Sequence, residues 1–323
     1  MAVAALVALP LGCSRGPATI PVAIDGGAAG VVLTDRVAVA ARPGDTVVLR
    51  HAATARGPDD ESPVHHMLVA APADALPPLF VGNAGGSSPN SGVWGECHGG
   101  APAEAAQGCP VPAIEGPAAW DGVAYWSTGA FLPSEERDVA LADDIAPGTY
   151  TLICAIHPDL QVAITVGKER DTAVEVPADA QARTAAAQDV LSDAAAAELA
   201  GTSADFSAGL EQDAAFIHAF APATVRIPVG GQVTWTAAAR TPVDVVFDPE
   251  GGEISLAHTD AADGTPSGDG VVDGSGLVRS GFLSADPGAG AVGASFTATF
   301  PVAGTYSYAS RFSVDLAGTV VVG

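Results

Sequence analysis

Cys154 and His157 are the residues of this chain whose types and spacing could do chemistry together. They lie three positions apart in the short loop Cys154-Ala155-Ile156-His157-Pro158-Asp159-Leu160. A soft sulfur donor beside an imidazole suits a copper ion, provided a second imidazole arrives from elsewhere. The loop is fed by Pro147-Gly148, a turn, and then by Tyr150, Leu152 and Cys154, whose alternation reads as a strand. A second strand, Val64-His65-His66-Met67-Leu68-Val69, offers the missing imidazole in two registers. With His65 inward, Met67 and Val69 share its face; with His66 inward, Leu68 and Ala70 do. The bulkier set favours His65, and the register through His66 stays open.

The run Gly148-Thr149-Tyr150, Cys154, His157-Pro158, Leu160 resembles the last strand and loop of the cupredoxins, the plastocyanin- and azurin-like blue copper proteins. Their pattern there is Gly-Thr-Tyr-x-x-x-Cys-x-x-His-Pro-x-Met. The resemblance implies an all-β Greek-key sandwich with one type 1 copper held by Cys154, His157 and either His65 or His66. It puts Leu160 where the family has a weak axial methionine. Leucine cannot coordinate, so the ion has three ligands unless Gln161 swings in, and losing the sulfur donor favours Cu(I) and raises the potential. The implied function is transfer of single electrons between redox partners, a cytochrome or an oxidase. The copper enzymes of this fold flank the cysteine with histidine, whereas Ile153 and Ala155 flank Cys154, and His-x-His occurs nowhere in the chain. The expectation is therefore that the protein is not an enzyme. Rival readings are a copper storage or delivery protein and an adhesive β-sandwich with a relict site. A third is an ascorbate-dependent copper monooxygenase, which the His-His-Met segment at 65–67 resembles over about five residues.

Composition sets the surroundings. Thirty-seven acidic residues against thirteen basic ones give a net charge of -24, and Lys168 is the single lysine. Such a field repels nucleic acid and anionic membrane surfaces. It fits a secreted protein or a salt-adapted organism. The apolar residues 1–12 ending in Leu11-Gly12-Cys13 resemble the end of a bacterial lipoprotein signal, which implies export to the periplasm or cell surface. Membrane attachment would then come only through a lipid on Cys13, since twelve apolar residues do not span a bilayer. Cys97 and Cys109 read as a disulfide of an exported protein, a metal pair with His98 being the alternative. His51, His98, His218 and His258 read as surface or structural residues.

The elements that must position Cys154 and its partners lie in residues 17–168, after an export signal and tail at 1–16. Residues 14–30 read as loop, and Val37, Val39 and Val47–Leu49 as strands around Pro43-Gly44-Asp45. A long Gly/Pro-rich insertion covers 71–120. Residues 169–213 read as a linker with an Ala-rich helix over 177–200, apolar at Val190, Leu191 and Leu199 and capped by Gly201. From 214 to 323 the pattern starts again: Pro228-Val229-Gly230-Gly231 over Arg42-Pro43-Gly44-Asp45, Gly304-Thr305-Tyr306 over Gly148-Thr149-Tyr150, and Ser280-Gly281 over Thr128-Gly129. The chain thus reads as two tandem cupredoxin-like domains. The second has Ser310 and Ser313 at the positions of Cys154 and His157, and Val243 after Pro242, so it should bind no copper. The match of Val69 to Phe247 in this alignment again favours His65. Asp260, Asp263, Asp269 and Asp273 form an acidic loop, read as solvated rather than calcium-binding.

Overall fold

The structure is a computed structural model and describes residues 16–28, 30–53, 66–71, 76–83, 86–98, 109, 119–201, 203–249, 266–285, 293–311 and 313–323. It is all-β, with cupredoxin-like sandwiches in its two halves and an Ala-rich helix between them. The first half contains β1 (Thr19–Ile24), β2 (Val31–Leu33), β3 (Arg36–Ala41), β4 (Thr46–His51), β5 (Leu68–Val69), β6 (Phe80–Asn83) and β7 (Gly86–Pro89). A short helix α1 (Ser91–Trp94) leads to β8 (Glu96–His98), β9 (Trp126–Thr128), β10 (Glu136–Ala140), β11 (Gly148–Cys154) and β12 (Gln161–Val166). Helix α2 (Ala180–Ala196) follows. The second half contains β13 (Glu198–Ala200), β14 (Ser203–Gln212), β15 (Ala215–Ala221), β16 (Thr224–Ile227), β17 (Gly231–Ala237), β18 (Val246–Phe247), β19 (Val278–Arg279), β20 (Ser295–Phe300), β21 (Gly304–Ser310) and β22 (Ser313–Val322).

In the first half the order β1-β4-β10 faces the order β3-β12-β11-β5-β9-β8. Alternation explains the packing: Val37, Val39 and Ala41 of β3 and Val162, Ile164 and Val166 of β12 turn into one core, while their neighbours stay at least partly exposed. Residues 14–30 are not all loop. Ile20, Val22 and Ile24 are fully buried and make β1 a strand parallel to β4. Nor is 71–120 only an insertion, because β8 pairs with β9 and closes the edge of the sheet that carries Cys154.

The second half repeats the plan in detail. Gly44 and Gly230 both take positive φ, 81° and 79°, in the turn before β4 and β17, a conformation a side chain disfavours. Tyr150 Oη donates to the Ala146 carbonyl and Tyr306 Oη to that of Val302, the same four-residue reach at the same corner. The Thr128 hydroxyl accepts from Leu68 N, and the Ser280 hydroxyl accepts from Val245 N. His66 exchanges two backbone hydrogen bonds with Phe131, and Val243 does so with Leu283.

The halves are joined by more than the chain. β2 of the first half pairs antiparallel with β15 of the second, Leu33 opposite Ala215 and Ile217 opposite Val31. Phe282, from the second half, is buried in the core of the first, and Val32 in the core of the second. Helix α2 covers this seam. It is shorter than its sequence pattern, ending at Ala196 with Ala197 rather than a glycine at the cap, and Leu199 lies exposed in β13. Its small residues Ala180, Ala187 and Ala194 pack on Val31, Leu33, Ala215, Ile217 and Ala219, so it lies against both halves. Arg183 fastens it to both, pairing with Asp35 at 2.8 Å and donating to the Asp213 carbonyl at 3.3 Å.

Candidate metal centre

Three elements bring the donors together. β11 ends at Cys154, whose N–H donates to the Leu160 carbonyl while Leu160 N–H donates to that of His157, closing the ligand loop on itself. Ala155 N–H donates to the Met67 carbonyl, which ties the loop to the segment holding His66. His66 Nδ1 then lies 3.5 Å from Cys154 Sγ and His157 Nδ1 3.8 Å from it. These three donors lie within 4.8 Å of one another, all buried.

The imidazole that meets Cys154 belongs to His66, and His65, which the register argument favours, lies outside the described residues. The reason is a slip of one. The hydroxyl of Thr128 meets Leu68 where that of Ser280 meets Val245, so Val69 corresponds to Val246 and not to Phe247. A one-residue slip exchanges the faces of a strand. Leu160 is fully buried beside the loop, and Gln161 is held by a hydrogen bond from its Nε2 to the Pro158 carbonyl rather than swung inward.

The electrostatics suit a soft cation. Burial pushes the Cys154 thiol up, so a bare thiolate is disfavoured there until a positive charge joins it. Burial also drives His157 well below the usual imidazole range, aided by the neighbouring His66 and His218, and a neutral ring keeps its lone pair for a metal. His157 Nε2 is buried without a hydrogen-bond partner among the described residues. A thiolate with two imidazoles is a donor set that fits copper.

Two histidines expected at the surface or in a structural role stand at this centre. The ring of His51, the last residue of β4, lies 4.3 Å from that of His66, tilted at 53°. His218, from β15, lies 5.9 Å from His157, with Phe216 at 6.0 Å. Asp25, read as part of a loop, is 2% exposed and accepts from His66 Nε2 at 2.9 Å and His51 Nε2 at 3.2 Å. Burial alone would raise its carboxyl, but the hydrogen bonds from His51 and His66 overcome that and hold it far below the usual carboxylate range. Asp25 could have been found in the sequence as the polar residue ending the alternation Ile20, Val22, Ile24. Cys97 and Cys109 form a disulfide. His98 stands against Trp126, and Cys13 and His258 lie outside the described residues.

The equivalent place in the second half is filled. Ser310, at the position of Cys154, donates to Asp244 Oδ1 at 2.8 Å, and Arg311 Nε bonds Asp244 Oδ2 at 2.6 Å. The Arg311 guanidinium lies 5.5 Å over the Phe282 ring. Of the four acidic loop residues, Asp260 and Asp263 lie outside the described residues. Asp269 and Asp273 each accept a hydrogen bond from a backbone N–H two residues on.

No protein-family profile matches the sequence. No curated protein matches it either. Among solved structures, an oxidised mutant of amicyanin is similar at 18% identity and TM-score 0.23, over 40% of this chain and 90% of that one. A copper-containing nitrite reductase from Thermus scotoductus SA-01 is similar at 13% identity and TM-score 0.25, over 88% of this chain and 59% of that one. A multicopper oxidase is similar at 12% identity and TM-score 0.20, over 94% and 88%. The expectation that the chain is not an enzyme is corrected by this comparison. A nitrite reductase and an oxidase stand among the similar structures beside amicyanin, so a non-enzymatic role does not follow from the fold.

Proposed function

We propose that the protein is an exported blue copper protein whose single type 1 centre passes electrons one at a time between redox partners. The observation that carries this reading is the buried triad in which His66 Nδ1 and His157 Nδ1 both face Cys154 Sγ. Copper bound there would alternate between Cu(I) and Cu(II). The protein's part is to keep one donor set for both states. The loop closed by the Cys154–Leu160 hydrogen bond, and the tie from Ala155 to Met67, hold the three donors where they are whatever the charge at their centre. Leu160 presents hydrocarbon in place of a fourth donor, which supports a high potential.

The net charge of -24 supports a basic redox protein, a cytochrome or oxidase, as partner, with an association rate that falls as salt rises. No described helix is long and apolar enough to cross a membrane. Attachment through a lipid on Cys13 belongs to the same proposal and is tested by mass spectrometry of the protein from its native membrane fraction.

The deciding experiment adds Cu(II) to the purified protein and records the visible spectrum beside that of Cys154→Ser. An intense band in the wild type that is absent from the variant is expected. Copper taken up with no such band in the wild type would sink the reading.

A further inference from the structure

Asp25 stands at the end of β1, where the chain leaves the first sandwich for β2 and the seam. Both of its oxygens are engaged. Oδ1 accepts from Gly27 N–H at 2.9 Å and Leu33 N–H at 2.8 Å, and Oδ2 accepts from His66 at 2.9 Å and His51 at 3.2 Å. The backbone is left-handed at Asp25, φ 49°, a cost that the four hydrogen bonds offset. An ionised carboxylate can only accept, so both imidazoles must carry their proton on Nε2. For His66 that leaves a lone pair on Nδ1, the atom facing Cys154 Sγ.

We infer that Asp25 is the positioning residue of the centre, fixing the tautomer and aim of His66 from the far side of its ring, with His51 as the second donor that keeps the carboxylate in place. The inference rests on the reading of His66 as a metal ligand. It also gives the seam a direct line to the ligand: the oxygen shared by Gly27 and Leu33 belongs to the carboxylate that holds His66, and Leu33 is paired with Ala215 of the second half. In Asp25→Asn, the amide oxygen can keep the two backbone donors only by turning its NH2 toward the two imidazoles. His66 must then accept at Nε2 and carry its proton on Nδ1, the atom the metal needs.

The test reads the imidazole nitrogens directly, by long-range 15N–1H correlation on the metal-free protein. His66 is expected protonated at Nε2 in the wild type and at Nδ1 in Asp25→Asn. Copper affinity, by competition with a chelator, should fall roughly 10- to 100-fold in the variant. His51→Gln, which leaves the Asp25–His66 bond, should keep the Nε2 form. A wild-type His66 protonated at Nδ1 would overturn the inference without any variant having to fold. So would two coppers bound per chain, since a metal between Asp25, His51 and His66 would take the place of both protons. A wild type with the expected tautomer but no blue band would instead remove the copper reading and leave the geometry of Asp25 standing.

Discussion

The imidazole of His157 stands 5.9 Å from that of His218, the rings at 73°, and the seam between the two sandwiches runs between them. With Phe216 beside His218, the second half covers the ring edge that the first half leaves open, and His157 is 1% exposed. Asp159, two residues along the ligand loop, faces Arg240 of the second half at 3.7 Å. The second sandwich is therefore a wall of the centre.

Opening that wall should release the metal. Phe216→Ala removes a ring that is 1% exposed, and its loss should cost about 3–5 kcal/mol of stability. Chelator should strip copper from the variant faster than from the wild type. Equal rates, with the protein still folded, would mean that the seam does not guard the centre.

Leu160 should set the potential. Leu160→Met would put a thioether at the position where the cupredoxin resemblance implies an axial donor, at nearly constant volume, so the fold should be retained. The potential of the variant should lie below that of the wild type in a spectroelectrochemical titration. An unchanged value would show that a side chain at 160 does not reach the metal.

The filled site of the second half predicts a separation of effects. Asp244 is fully buried and Arg311 nearly so, and removing one partner of such a pair costs about 3–5 kcal/mol. Arg311→Met should lower stability by that amount in a denaturant titration and leave the copper band of the first half in place. A lost band with normal stability would refute this division of roles.

The disulfide should matter to stability more than to colour. Cys97 and Cys109 are 12 residues apart, and closing a loop of that size stabilises by about 3 kcal/mol. Cys97→Ala/Cys109→Ala should melt lower and still take up copper, as read from scanning calorimetry and the visible band.

That Cys154 and His157 would meet could be read from the sequence, because both lie in one loop of seven residues that carries its own geometry. The repeat was legible for the same reason, through Gly-Thr-Tyr and the glycine turn. His66 over His65 was not, since a strand read alone has two equivalent faces and only its pairing with Phe131 selects one. Asp25, His51 and His218 were not legible as a group either. Asp25 follows β1, His51 ends β4 and His218 lies in β15, and only the pairing of β1 with β4 and of β2 with β15 places them around one centre. The sequence pattern carries the helix too far because alanine continues it past the point where β13 pairs with β16.

The pairing of Leu33 with Ala215 has a consequence for biogenesis. A strand made early must wait for one made much later, while the ligand loop between them is already complete. During that interval the wall holding Phe216 and His218 is not yet in place beside His157. Loading is then easiest before closure. On the proposed copper reading, uptake by the finished apoprotein should quicken in urea too dilute to unfold it.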